Sequence, residues 1–186
     1  MLNKELVTKR VAIHESGHAV VAYLLHHHVG KIRVFANKYD YYGLAYIYSG
    51  PEGRTVAQCI EEGVLIDCAG NAAEYLLTGR KYWSHYSGDY LNAVNSLSWL
   101  YGSNDEIEAG INFLWLRAKN MLAEPANWYI VKYLALDIEG SQQACGYWDE
   151  DGRYCVNEDY EDTCIMEGYS VQYTIEKAMQ RYRELL

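Results

Sequence analysis

Apolar and polar positions change rhythm several times along this chain, and each change marks an element. From about Lys4 to His28, apolar residues (Leu6, Val7, Val11, Ala12, Ala19, Ala22, Tyr23) recur at the spacing of one helical face, with Gly30 expected to supply the stop. Lys31-Ile32-Arg33-Val34-Phe35 alternates with the two-residue period of a half-buried strand. Asn37 to Asp40 reads as a turn and Gly43 to Tyr48 as the partner strand, after which Ser49-Gly50-Pro51-Glu52-Gly53 breaks the pattern.

Thr55 and Gln58 have capping-box spacing and open a predicted helix to about Thr78, with Gly79 as its C-terminal cap. After a loop over Arg80 to Gly88, a helix is expected from about Asp89 to Tyr101. Ser103 with Glu106 forms a second capping box and opens another to about Ala123, and Pro125 suits the first turn of a helix ending near Gly140. Ser141 to Tyr169 loses helical periodicity. Within it, Tyr147-Trp148 and Arg153-Tyr154-Cys155-Val156 flank Asp149-Glu150-Asp151-Gly152, the pattern of a hairpin. Ser170 to Leu186 closes as an amphipathic helix. No repeat or linker divides the chain, so residues 1–186 are expected to form a single domain of mainly α (α+β) class. A small two-stranded sheet should lie near the first helix, with residues 141–169 as an acidic, cysteine-containing insertion or hairpin.

Composition narrows the function. The chain's 186 residues suffice for a real core, and half of them are apolar, which excludes wholesale disorder. Nineteen Tyr and five Trp against two Phe suit half-buried clefts and contact surfaces, although ordinary packing uses them too. The net charge of −9 is concentrated: between Asp137 and Glu167 stand ten acidic residues and one basic residue, Arg153, while the remainder balances. With no basic stripe anywhere, binding to nucleic acid through its phosphates is not expected. The most apolar run, Ala19 to Leu25, is seven residues, far short of a membrane span, so a soluble cytoplasmic protein is expected. Five cysteines, an odd number, argue against a secreted disulfide scaffold. Cys145, Cys155 and Cys164 read first as ordinary reduced thiols. The functional alternatives are a metal clamp, a hairpin disulfide between Cys145 and Cys155, or a cysteine that keeps a metal enzyme latent. His26-His27-His28 reads as a solvated helix end.

The sharpest signal is His14-Glu15-Ser16-Gly17-His18, an HExxH sequence in the middle of a predicted helix. Residues four apart share a helix face, so both imidazoles reach one ion. Glu15, projecting from a neighbouring angle, is placed to take a proton from a zinc-bound water, whose pKa zinc lowers from about 15.7 to about 7. Flanking Val11, Ala12, Ala19 and Val20 would bury this helix in the core. Two histidines still need a third protein ligand. Spacing offers Asp67 or Glu74 on the next long helix, and His85 or Asp89 beyond it; Asp89 equally suits an N-cap.

The segment Val11 to Val21 around this motif resembles the zinc helix of the peptidase domain of FtsH-type AAA+ metalloproteases, whose pattern is an apolar lead-in followed by HEAGHA. Lys31 to Phe35 and Gly43-Leu44-Ala45-Tyr46-Ile47 resemble its two strands. Ala69-Gly70-Asn71-Ala72-Ala73-Glu74 resembles its Gly-x-x-Ala-Glu segment, and Ser84 to Asp89 the loop ending in its third ligand. The resemblance covers roughly Val7 to Gly140. It implies a zincin-like domain with His14, His18 and Asp89 as zinc ligands, Glu15 as catalytic base, and Glu74 outside the ligand set. An edge strand that aligns substrate would be Gly43, Leu44 and Ala45. The loop before Asp89 is shorter than the family's. No GxxxxGK[ST] phosphate loop and no membrane anchor occur in this sequence, so ATP-driven unfolding is not expected of it. Substrates would be peptides or unfolded segments, unless a separate ATPase or regulatory protein delivers them. The competing expectation is a non-catalytic binding or regulatory protein on the same scaffold.

Overall fold

Capping chemistry sets the helix boundaries. The structure, a computed structural model, describes residues 4–36, 41–48, 50, 52–81, 83, 87–143, 146–148, 154–156 and 162–186. The long helix α2 (Val56–Thr78) opens on the Thr55/Gln58 capping box: Thr55 Oγ1 accepts from the Gln58 N–H at 3.2 Å, and the Thr55 N–H donates to Gln58 Oε1 at 2.8 Å. It closes on Gly79 at φ +71°. α4 (Asn104–Ala123) opens on the Ser103/Glu106 box, and α5 (Pro125–Gly140) carries Pro125 in its first turn. The first helix, α1 (Lys4–Leu24), is shorter than expected. Gly30 does not end it: the stop is His26, held at φ +62°, with the His27 N–H bonded to the Ala22 carbonyl at 2.8 Å as in a Schellman turn. Gly30 instead lies in β1 (Val29–Ala36).

β1 pairs with β2 (Tyr41–Ile47) in antiparallel register, Val34 opposite Gly43 and Ile32 opposite Ala45. The sheet is wider than the two strands expected. β6 (Asp162–Glu167), from the acidic segment, docks on the other edge of β1, and β3 (Gln142–Gln143) pairs with β6. The order is therefore β2-β1-β6-β3, with β2 at one edge. β4 (Gly146–Trp148) and β5 (Tyr154–Val156) pair as the expected hairpin strands, Tyr147 opposite Cys155. Cys145 lies outside the described residues. Cys164 is a buried core residue, outside any disulfide, whose thiol lies 3.9 Å from the Glu139 carbonyl.

The fold is mainly α with this small antiparallel sheet. α1 runs through its centre: every residue from Ala12 to Ala22 is buried except the half-buried His14. Its apolar side chains pack on Val64, Leu65, Cys68, Ala69 and Ala72 of α2 and on Ile130, Val131 and Leu134 of α5. Each fully buried Ile or Leu among these stabilises the fold by about 1.5–3 kcal/mol. The amphipathic helix α6 (Gly168–Glu184) covers α5 and β1 with Val171, Ile175 and Ala178, and α3 (Gly88–Leu97) sits against α2. Among the described residues, no helix is long and apolar enough to cross a membrane.

Candidate metal centre

Close packing of α1 on α2 is the foundation of the site. At Gly17 an added Cβ would stand 2.6 Å from the Ala69 carbonyl oxygen and 2.8 Å from Ala73 Cβ, so only glycine permits this approach. The approach brings Gly70 of α2 beneath the two imidazoles. A Cβ there would lie 2.5 Å from His14 Nε2 and 2.4 Å from His18 Nε2. The helix interior thus carries its least favourable residue but proline at the spot where both ring nitrogens converge.

α3 supplies the third donor. Ser87 rather than Asp89 caps this helix, its Oγ accepting from the Tyr90 N–H at 3.3 Å. Asp89, in the first turn, turns its carboxylate to His14 Nε2 at 3.0 Å and His18 Nε2 at 3.5 Å. Ligand atoms of His14, His18 and Asp89 all lie within 4.8 Å of one another. Asp67, which spacing also offered, lies outside that cluster, and His85 lies outside the described residues.

The remaining ring nitrogens are anchored. His14 Nδ1–H donates to Glu74 Oε1 at 2.7 Å, and His18 Nδ1–H donates to the Ile66 carbonyl at 2.7 Å. Glu74 is itself held by the Arg10 guanidinium. Glu74 therefore orients His14 from behind rather than sitting among the converging donors. Two imidazoles fixed through Nδ1 plus one carboxylate, around a space kept open by Gly70, fit a zinc ion with one coordination position left over. Arg10 was not singled out by sequence, and Gly70 only as the glycine of the Gly-x-x-Ala-Glu segment, with no role at the site. The signal for Arg10 was its place four residues before His14, on the same face of α1.

The charged groups of the cluster act strongly on one another. Burial alone would lower the His14 pKa, but hydrogen bonds to Asp89 and Glu74 and the Glu15 charge push it up to about 10. His18 is likewise raised, Asp89 outweighing burial. Burial works against the charge of Asp89, yet His18 and His14 hold its carboxyl well below the usual range. Burial raises Glu15, while the two imidazoles and a hydrogen bond from the Ala45 backbone pull it back. Burial also pushes Asp67 up to about 7, and the Asp89 charge adds to it, against the pull of His18.

Glu15 touches the edge strand directly. A Cβ at Gly43 would lie 2.3 Å from Glu15 Oε1 and 2.4 Å from its Cγ, and the Ala45 N–H is turned to the Glu15 carboxylate rather than into the ladder. Leu44, between them, is exposed on the opposite face together with Tyr42. Glu15, the converging donors and β2, the edge strand among the described residues, thus adjoin in one place. No protein-family model matches the chain, and a search of the curated proteins returns no significant match.

Proposed function

We propose that this protein is a zinc-dependent peptidase hydrolysing peptide bonds in peptides or unfolded segments, without ATP by itself. The observation that carries this reading is the convergence of His14, His18 and Asp89 beside a buried Glu15 that contacts the edge strand β2. Bound there, zinc would polarise the scissile carbonyl and acidify a coordinated water. Glu15 would take the proton and pass it to the leaving amine, and its raised pKa suits a group that must both accept and release one. Gly43, Leu44 and Ala45 would align an extended substrate by strand addition, the absence of a side chain at Gly43 letting the backbone come close to Glu15. Glu74, braced by Arg10, would keep His14 in the ligating tautomer.

Cys59, Cys68 and Cys164 stand outside any disulfide, in keeping with a reducing, cytoplasmic setting. The test is zinc content together with cleavage of an unstructured polypeptide by the parent and by Glu15→Gln. One zinc per chain in both proteins, with turnover in the parent alone, is expected. Zinc binding without turnover in the parent would leave a binding protein on this scaffold, and no zinc after reconstitution would sink the metal reading.

A further inference from the structure

α2 is buried without interruption from Val64 to Glu74, save at one position, Asp67. That single opening to solvent lies beside the candidate metal centre. Asp67 is three residues before Gly70, hence on the same face of α2, and follows Ile66, whose carbonyl holds His18. Among the described residues its carboxylate makes no hydrogen bond or ion pair, and the charges that act on it are those of His18 and Asp89. Lys81, just beyond α2, is engaged elsewhere, 3.3 Å from Asn112 Oδ1 and over the Trp115 ring at 4.3 Å. An unpaired carboxylate that has solvent on one side and an apolar helix packing on the other is stabilised by a cation brought to it.

We propose that Asp67 forms a cation-accepting subsite beside the metal centre, selecting substrates with a lysine or arginine side chain next to the scissile bond. The inference rests on the peptidase reading above and deepens it by naming the substrate class. A substrate strand laid along β2 passes Glu15 at Gly43 and Ala45, and residues of such a strand alternate between its two faces. Asp67 feels the charges of His18 and Asp89 and so lies beside the converging donors; on this proposal the side chains directed toward α2 reach it, whereas those directed outward meet Tyr42 and Leu44. Asp67 accepts hydrogen bonds from an ammonium or guanidinium, and repels an acidic side chain at the same position. The subsite thereby carries both an attractive and a repulsive element. Asp67 was weighed from spacing as a third ligand; its place outside the converging donors leaves it available for substrate.

The experiment compares three otherwise identical unstructured peptides bearing Lys, Leu or Glu beside the cleavage point, with zinc-loaded parent, Asp67→Asn and Asp67→Lys proteins. A second readout, peptide affinity measured by fluorescence anisotropy on the inactive Glu15→Gln background, reports recognition without turnover. In the parent, kcat/KM is expected to favour Lys over Glu by more than tenfold. Asp67→Asn should lower that ratio by about tenfold, equivalent to about 1.4 kcal/mol, and Asp67→Lys should invert it. The affinities should follow the same order. Cleavage of all three peptides by the parent at equal efficiency would overturn the subsite while leaving the peptidase reading intact, as would a ratio unmoved in Asp67→Asn. No cleavage by zinc-loaded parent would overturn both.

Discussion

Replacing Gly70 with alanine separates the metal centre from the stability of the helix that carries it. Alanine favours a helix interior over glycine by about 1 kcal/mol, so propensity alone predicts a stabilised protein. The new methyl, however, would stand 2.5 Å from His14 Nε2 and 2.4 Å from His18 Nε2. Zinc bound to those nitrogens would sit 2.0–2.1 Å from each, so methyl and ion compete for one place. Both rings would have to swing away, giving up their bonds to Glu74 and the Ile66 carbonyl. Disturbing such outer contacts alone costs 10–100-fold in metal affinity, so displacing two ligands should weaken zinc binding by at least about 100-fold, or about 2.7 kcal/mol. Gly63 in the same helix is the control, since a Cβ there meets nothing within 4 Å. Gly63→Ala should gain about 1 kcal/mol of stability and bind zinc as the parent does. Chelator competition for the affinities, with urea unfolding in the presence of EDTA for stability, decides the matter. Gly70→Ala binding zinc within threefold of the parent would refute the assigned position of the ion.

Further outcomes follow from other contacts. Glu74→Gln keeps the shape but weakens the acceptor on His14 Nδ1 and the pairing with Arg10, so zinc affinity should fall about 10–100-fold in the same chelator assay. His26→Gly relieves a left-handed residue at the end of α1 and should stabilise the protein by about 0.5–1 kcal/mol in urea unfolding; a loss would show that the ring makes an unrecognised contact. For Asp67 burial pushes the folded pKa up to about 7 from its ordinary value of 3.8, so the metal-free folded state holds its proton more tightly. That contribution is fully present below about pH 4 and is lost as pH rises through about 7. Asp67→Asn in EDTA should therefore match the parent near pH 4 and exceed it at pH 8. The gap is worth about 4 kcal/mol at full weight and about 2 kcal/mol after allowing for the group's solvent contact. Equal pH slopes for the two proteins between 4 and 8 would contradict the burial of that carboxylate.

Local chemistry made much of the architecture legible beforehand. The boxes at Thr55/Gln58 and Ser103/Glu106, the glycine after Thr78 and Pro125 act within one turn of chain, and each marks a helix end in the structure. The HExxH spacing is equally local. The third donor was not settled by spacing, because the choice among Asp67, Glu74, His85 and Asp89 depends on how α2 and the chain beyond it lie against α1. Packing at Gly17 and Gly70 determines that, together with Ser87 taking the cap and releasing Asp89. The widened sheet was hidden for a similar reason. Asp162 to Glu167 holds only the three-residue apolar run Cys164-Ile165-Met166 inside an acidic stretch, and its partner in β1 is some 130 residues away. At the end of α1, Gly30 drew the expectation because glycine adopts left-handed backbone readily, whereas a histidine held there by two flanking hydrogen bonds leaves no compositional trace.

Strand β6 in the middle of the sheet also orders events during synthesis. While residues up to about 160 are emerging, β1 has β2 on one side only, and its other edge shows unpaired backbone groups to any passing chain. The helix bearing Glu15 can pack on α2 at that stage, but the strand that positions Glu15 lacks the support of β6 and of α6 behind it. A nascent chain of this protein would therefore bring His14 and His18 against α2 early and complete the sheet beside β2 late. On the peptidase reading proposed above, a chain assembled in that sequence stays harmless to its neighbours on the ribosome until α6 has been made.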